Sequence, residues 1–121
     1  MKRDERFEDK DLGDGVFTTR RIKVRIYFEG GIHQCKTSMT KRQLDYGVQS
    51  DYPNYCWTPT DKDIEDGKLH RSWKINHTVK EPTHELLWDE ATYKYPYGRP
   101  YLEPLMTLEK ETELSYDYNN K

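Results

Sequence analysis

Strong core formers are scarce in this chain: Leu, Ile, Val and Phe make up 21 of 121 residues. At that proportion disorder becomes an option, but only when a large net charge also holds the chain open. That second condition fails, because 20 basic and 22 acidic side chains leave a net charge of −2. Without a basic excess the chain does not read as a protein that coats nucleic acid, and direct nucleic-acid binding is not expected. No run approaches the roughly 18 apolar residues of a membrane span, so no membrane partner is expected. The charged opening Met1-Lys2-Arg3-Asp4-Glu5-Arg6 is followed by no apolar stretch, so no secretory signal is read there. The only cysteines are Cys35 and Cys56, too few for a disulfide scaffold, and the expectation is reduced thiols of an intracellular protein.

Several catalytic signatures are also missing. A dinucleotide fingerprint fails because Thr18 stands where a third glycine is needed. No Cys-x-x-Cys or His-Glu-x-x-His spacing occurs, and His70, His77 and His84 fall seven residues apart, so no metal site is expected. No Gly-x-Ser-x-Gly elbow surrounds any serine. Asn76-His77-Thr78 fits a glycosylation sequon but, without a secretory signal, is not expected to meet the enzyme.

What the chain does have is aromatic area: ten Tyr and three Trp, which a count of aliphatics misses. Its length suits one domain with a thin core, marginally stable and helped by a ligand or partner. Residues 1–11 are predicted to be a frayed, charged lead-in, and residues 12–119 the domain. A glycine turn at Leu12–Phe17 feeds a strand, and Ile22, Val24 and Ile26 alternate with Lys23, Arg25 and Tyr27 as in a half-buried strand stopped by Gly30-Gly31. Thr40-Lys41-Arg42-Gln43 is a capping-box pattern that predicts one short helix. Residues 49–63 read as turns and 72–79 as weakly alternating. Tyr93–Tyr97 and Tyr101–Leu108 read as extended pieces broken by Pro96 and Pro104, and Glu113–Tyr118 alternates again. The predicted class is mainly β, with short strands, one or two short helices and long connections.

Three groups of residues bear on chemistry. Gly13-Asp14-Gly15 lets a backbone come close to a ligand, although alone such a pair is an ordinary turn. Arg20, Arg21, Lys23 and Arg25 on one side, and Glu109, Glu111, Glu113 and Asp117 on the other, read first as solvated faces; the acidic run would also attract a basic peptide. Tyr116 and Tyr118, two apart, would face one side of a strand and wall a cavity with two phenols.

In order along the chain, these pieces resemble the SET-domain protein lysine methyltransferases. The resemblance rests on Gly13-Asp14-Gly15-Val16-Phe17-Thr18-Thr19-Arg20, on Ile75-Asn76-His77-Thr78 with Pro82 close behind, and on Glu113-Leu114-Ser115-Tyr116-Asp117-Tyr118. More loosely it rests on Tyr27 with Gly30, and on Tyr55-Cys56 and Gly98-x-Pro100-Tyr101-Leu102, which look closest to the branch that monomethylates a histone-tail lysine. It implies a SET-like fold of short curved β-sheets with a threaded C-terminal segment, and S-adenosylmethionine as cofactor. Gly13, Asp14, Gly15, Tyr27, Asn76 and His77 would bind the cofactor, with the backbone near Gly13 and Gly15 on its methionine part and Asn76 and His77 on its adenine end. Tyr118 and Tyr116 would be the catalytic pair, around a lysine of a partner protein, a histone tail by resemblance. The family further implies a nuclear location, otherwise cytoplasmic, and a monomer is expected. The alternatives are a catalytically inactive SET-like module that binds peptide or chromatin, and an unrelated small β-rich interaction protein.

The chain departs from the family in places. Glu111-Thr112 stands where Gly-Glu is usual, which predicts a strained positive φ on a non-glycine residue. The turn after Lys23 is about three residues short by alignment against the family. Thr78 replaces Ser, Thr83 follows Pro82 where Asn is usual, and Glu103-Pro104 interrupts an apolar strand.

Overall fold

The computed structural model describes residues 6–9 and 15–118. Their strands, in chain order, are β1 (Phe7–Asp9), β2 (Val16–Thr18), β3 (Ile26–Tyr27), β4 (Gly31–Gln34), β5 (Val48–Gln49), β6 (Tyr55–Thr58), β7 (Asn76–His77), β8 (His84–Trp88), β9 (Pro100–Pro104) and β10 (Ser115–Tyr116). One α-helix, α1 (Asp61–Glu65), and 3-10 turns at Gln43–Asp45 and Arg71–Lys74 lie among them. The mainly β expectation holds. The strands fall into sheets of order β1-β2, β10-β7, β3-β9-β8 and β4-β6-β5.

The expected single domain divides into two compact units, each built from non-contiguous segments. The first comprises the chain up to Ile26, Lys74–Leu86 and the chain from Leu102 onward. In it β1 and β2 pair antiparallel with Phe7 opposite Thr18. This corrects the reading of residues 1–11 as a wholly frayed lead-in: Phe7 is buried, and one aromatic anchor is enough to pin the charged residues beside it into a ladder. On its other edge β2 meets the tail segment. Thr18 N–H donates to Thr112 O, Glu111 N–H to Thr18 O and Leu114 N–H to Val16 O. Val16, Ile26, Ile75, Leu102, Leu108, Leu114 and Tyr116 are buried here.

Two departures from the family pattern are accommodated in this unit. Glu103, on β9, takes the Arg25 guanidinium at 2.7 Å, so its charge is partnered. Glu111 adopts φ +64, the left-handed conformation anticipated for this position. The alternation of residues 22–27 also persists, with Ile26 buried and Lys23 and Arg25 exposed, but the ladder is confined to β3 and a single Ile22–Leu108 bridge.

The second unit comprises Tyr27–Trp73 and Leu87–Tyr101. Its sheet sets Ile32 and Val48 on either side of Trp57, and His33 and Gln49 on either side of Cys56. Gly30 has φ +134, and a Cβ there would lie 2.0 Å from the Thr58 carbonyl oxygen, so only glycine lets the chain turn into β4. The aromatic area fills this unit. Trp57 meets Trp88 and Tyr95, Tyr55 stacks on Tyr97 at 4.1 Å, and Phe28 and Tyr46 pack against Trp73. The predicted capping box forms reciprocally: Gln43 N–H donates to Thr40 Oγ1 (3.2 Å) and Thr40 N–H to Gln43 Oε1 (2.9 Å). It opens a 3-10 turn, while the α-helix proper, α1, starts at a second threonine cap, Thr60.

The cysteine expectation is overturned. Cys35 and Cys56 form a disulfide, with Cα atoms 5.2 Å apart. The β4–β6 register brings them together, since Cys35 directly follows β4 and its N–H donates to Asn54 O. Residues 93–97, expected to be extended, instead form turns without a strand.

Candidate functional site

The first unit gathers most of the singled-out residues in one place. Strand β7 runs parallel to β10, which places Asn76 beside Ser115 and His77 beside Tyr116. Side chains then cross-link these strands to Gly15, which directly precedes β2. Asn76 Nδ2 donates to Glu113 Oε2 at 2.8 Å. Gly15, at φ +102, lies beneath that pair: a Cβ on it would stand 2.6 Å from Glu113 Oε2 and 3.0 Å from Asn76 Nδ2. The missing side chain is therefore what admits the amide–carboxylate pair, and the backbone angle independently favours glycine.

The phenols sit next to the same strands. Ile75, buried ahead of β7, has its carbonyl oxygen 2.5 Å from the Tyr118 hydroxyl, which donates to it. The Tyr118 N–H donates to His77 Nδ1 at 2.9 Å. That bond defines His77 as an Nδ1 acceptor, and it outweighs the 3.8 Å approach of Asp117 Oδ1 to the same nitrogen, which only a protonated Nδ1 could use. Ring centroids of Tyr116 and Tyr118 are 4.8 Å apart, and those of His77 and Tyr118 4.9 Å. β10 ends at Tyr116, so a turn rather than continued strand alternation carries Tyr118 to the same side.

Tyr116 is buried and Tyr118 half exposed. Burial raises the Tyr116 phenol well above its ordinary value, with the neighbouring Tyr118 adding to the effect. Burial also raises Tyr118. Both phenols are therefore neutral hydroxyls at physiological pH. Because the Tyr118 proton is committed to Ile75 O, the lone pairs of its oxygen remain to accept a hydrogen bond from a ligand.

Behind the site a buried polar chain holds β10 in register. Ser115 N–H donates to Thr83 Oγ1 at 2.9 Å, and Thr83 Oγ1 lies 2.9 Å from His84 Nδ1. His84 Nε2 lies 3.1 Å from the Val24 carbonyl oxygen. A carbonyl can only accept, so Nε2 carries the proton and Nδ1 of the neutral ring accepts from Thr83. Desolvation lowers the His84 pKa, partly offset by the Val24 bond and by Glu103.

Of the residues expected to bind cofactor, Gly15, Asn76 and His77 are brought together with Tyr116 and Tyr118. Gly13 and Asp14 lie outside the described residues. Tyr27 belongs to the second unit, where it packs on Tyr101 beneath the Arg99 guanidinium. The sequence reading placed Glu113 in the acidic run and at the head of the tyrosine segment but did not single it out as a site residue; its bond to Asn76 is what the structure adds. Among the described residues no three His, Cys, Asp or Glu side chains converge as metal ligands do.

The short sheets and this junction define a SET-like fold. A solved structure titled as that of CpSET8 from Cryptosporidium superposes with a TM-score of 0.60 and 16% sequence identity, over 95% of this chain. The matched chain is longer, and this one spans 57% of it. No family model and no curated protein matches the chain.

Proposed function

We propose that the chain transfers a methyl group from S-adenosylmethionine to a lysine side chain of a protein, a histone tail being the favoured substrate. The observation that carries this reading is the Tyr118 hydroxyl, donated to Ile75 O and packed against both Tyr116 and His77. The Gly15–Asn76–Glu113 junction supports a place for the cofactor beside it, since it sets an amide and a carboxylate against a glycine backbone. When bound, the cofactor supplies an electrophilic methyl on a sulfonium. Gly15 and the β7 backbone would hold it by main-chain groups, with Asn76 and His77 toward the adenine.

The rest of the chemistry falls to this chain's own residues. A lysine amine, with an ordinary pKa of about 10.4, must arrive neutral, and a channel walled by phenol rings favours the neutral form by desolvation. The free lone pairs of Tyr118 accept an amine N–H and so turn the amine's own lone pair toward the methyl. Alignment of this kind is the main contribution a protein makes to an in-line displacement. The buried Tyr116 limits the room for further methyl groups, which fits monomethylation.

The test is titration of the full chain with S-adenosylmethionine, followed by transfer to a histone-tail peptide. Binding together with transfer that a Tyr118→Phe variant loses by at least a hundredfold is expected. Binding without transfer by either protein would favour the peptide-binding module. Absence of heat at millimolar cofactor would remove the proposal.

A further inference from the structure

Glu113 is, among the described residues, a carboxylate without a cationic partner. Among the described residues its side chain engages only the neutral Asn76 amide, through Oε2, while neighbouring acids on the same segment and on β9 have taken arginines: Glu109 holds Arg21 and Glu103 holds Arg25. Its position is nonetheless fixed. The Phe17–Glu113 bridge and the Leu114 N–H to Val16 O bond pin its backbone to β2, and Oε2 rests over the empty side-chain position of Gly15. A negative charge held at Gly15 beside an amide, with one oxygen uncommitted among the described residues, is complementary to a small cation that comes close to the backbone there.

On the reading of function above, the ligand part that reaches Gly15 is the amino-acid end of S-adenosylmethionine. That end carries an α-ammonium, and the sulfonium lies a few bonds away. We propose that Glu113 is the residue that recognises the cofactor's α-ammonium: Oε1 accepts from the ammonium while Oε2 stays on Asn76 Nδ2 and keeps the amide from rotating. The inference rests on the proposed cofactor.

The experiment is calorimetric titration of the full chain and of Glu113→Gln with three compounds. S-adenosylmethionine has ammonium and sulfonium, S-adenosylhomocysteine has the ammonium and a neutral thioether, and 5′-methylthioadenosine has neither charge. Gln retains an acceptor for Asn76 and removes only the charge. Because Glu113 is exposed, the urea midpoint of the variant is expected to match wild type, which makes a folding defect visible if there is one. The expected result is about tenfold weaker binding of both amino-acid-bearing compounds, with 5′-methylthioadenosine unchanged. If only S-adenosylmethionine weakens, the carboxylate reads the sulfonium and the assignment is overturned. It is likewise overturned if all three weaken equally or none does. If wild type binds none of the three, the proposed function itself falls, and that outcome is distinct from failure of the Glu113 assignment alone.

Discussion

Replacing Thr18 by Val keeps the shape of a side chain that is 1% exposed and removes only its hydroxyl. That hydroxyl does two things. It donates to Glu109 O at 2.6 Å and accepts from Thr112 N–H at 2.9 Å. Glu109 O keeps a second partner in Thr112 Oγ1, also at 2.6 Å, so its loss is partial. The Thr112 N–H has no other acceptor among the described residues, and stranding a half-buried amide costs about 1–3 kcal/mol. The valine methyl returns a few tenths of that by burial, so the net expectation is about 2 kcal/mol of lost stability. For a chain of this size that corresponds to a drop in Tm of roughly 8 °C. Thr18→Ser retains the hydroxyl and loses one methyl, for about 1 kcal/mol. Urea unfolding of the three proteins, followed by tryptophan fluorescence, measures the difference. A Thr18→Val midpoint equal to wild type, or a Thr18→Ser midpoint as low as that of Thr18→Val, would refute the claim that this hydroxyl fastens the tail segment to β2.

Glu111→Gly should stabilise the fold by up to about 1 kcal/mol, since glycine relieves the left-handed φ of +64, partly offset by greater freedom in the unfolded chain; a lower urea midpoint would contradict this. His84, with its pKa lowered by burial, makes stability depend on pH in a defined direction: the unfolded chain takes up a proton first, so stability is fullest above the ordinary value of 6.5 and is lost as pH falls below it. Melting curves from pH 7.5 to 5.5 should show this slope in wild type and a shallower one in His84→Gln, and identical slopes would rule the histidine out as its source.

The anchors of the site were legible because each carries a requirement that survives in one dimension. Gly15 needs positive φ and an absent Cβ, Asn76-His77 and Tyr116-x-Tyr118 are fixed pairs, and the strain at Glu111 followed from the residue type standing where a glycine was expected. The capping box at Thr40–Gln43 was legible for the same reason, as a local bond pattern. The second unit was opaque because its sheet is specified by pairing rather than by periodicity. Gly31–Gln34 holds one aliphatic residue, and Tyr55–Thr58 is buried at three successive positions, so neither alternates. The disulfide followed from that same register, which a count of two cysteines does not reveal. α1 was hidden by Pro59, Asp61 and Asp63, which read as turn residues although Thr60 caps it by accepting from the Asp63 N–H. Tyr27 falls in the other unit, because a motif carried over by resemblance has an order along the chain but no spatial address.

The bonds between Thr18 and Thr112 span 94 residues of chain. During synthesis β2 therefore emerges long before its second edge exists, and closing so long a loop has an entropic cost that only the finished tail can offset. The junction at Gly15 is thus completed only after the segment that carries Glu113 has been made. A nascent chain that stops before Glu113 has neither Tyr116 nor Tyr118 and lacks the Leu114 N–H bond to Val16 O.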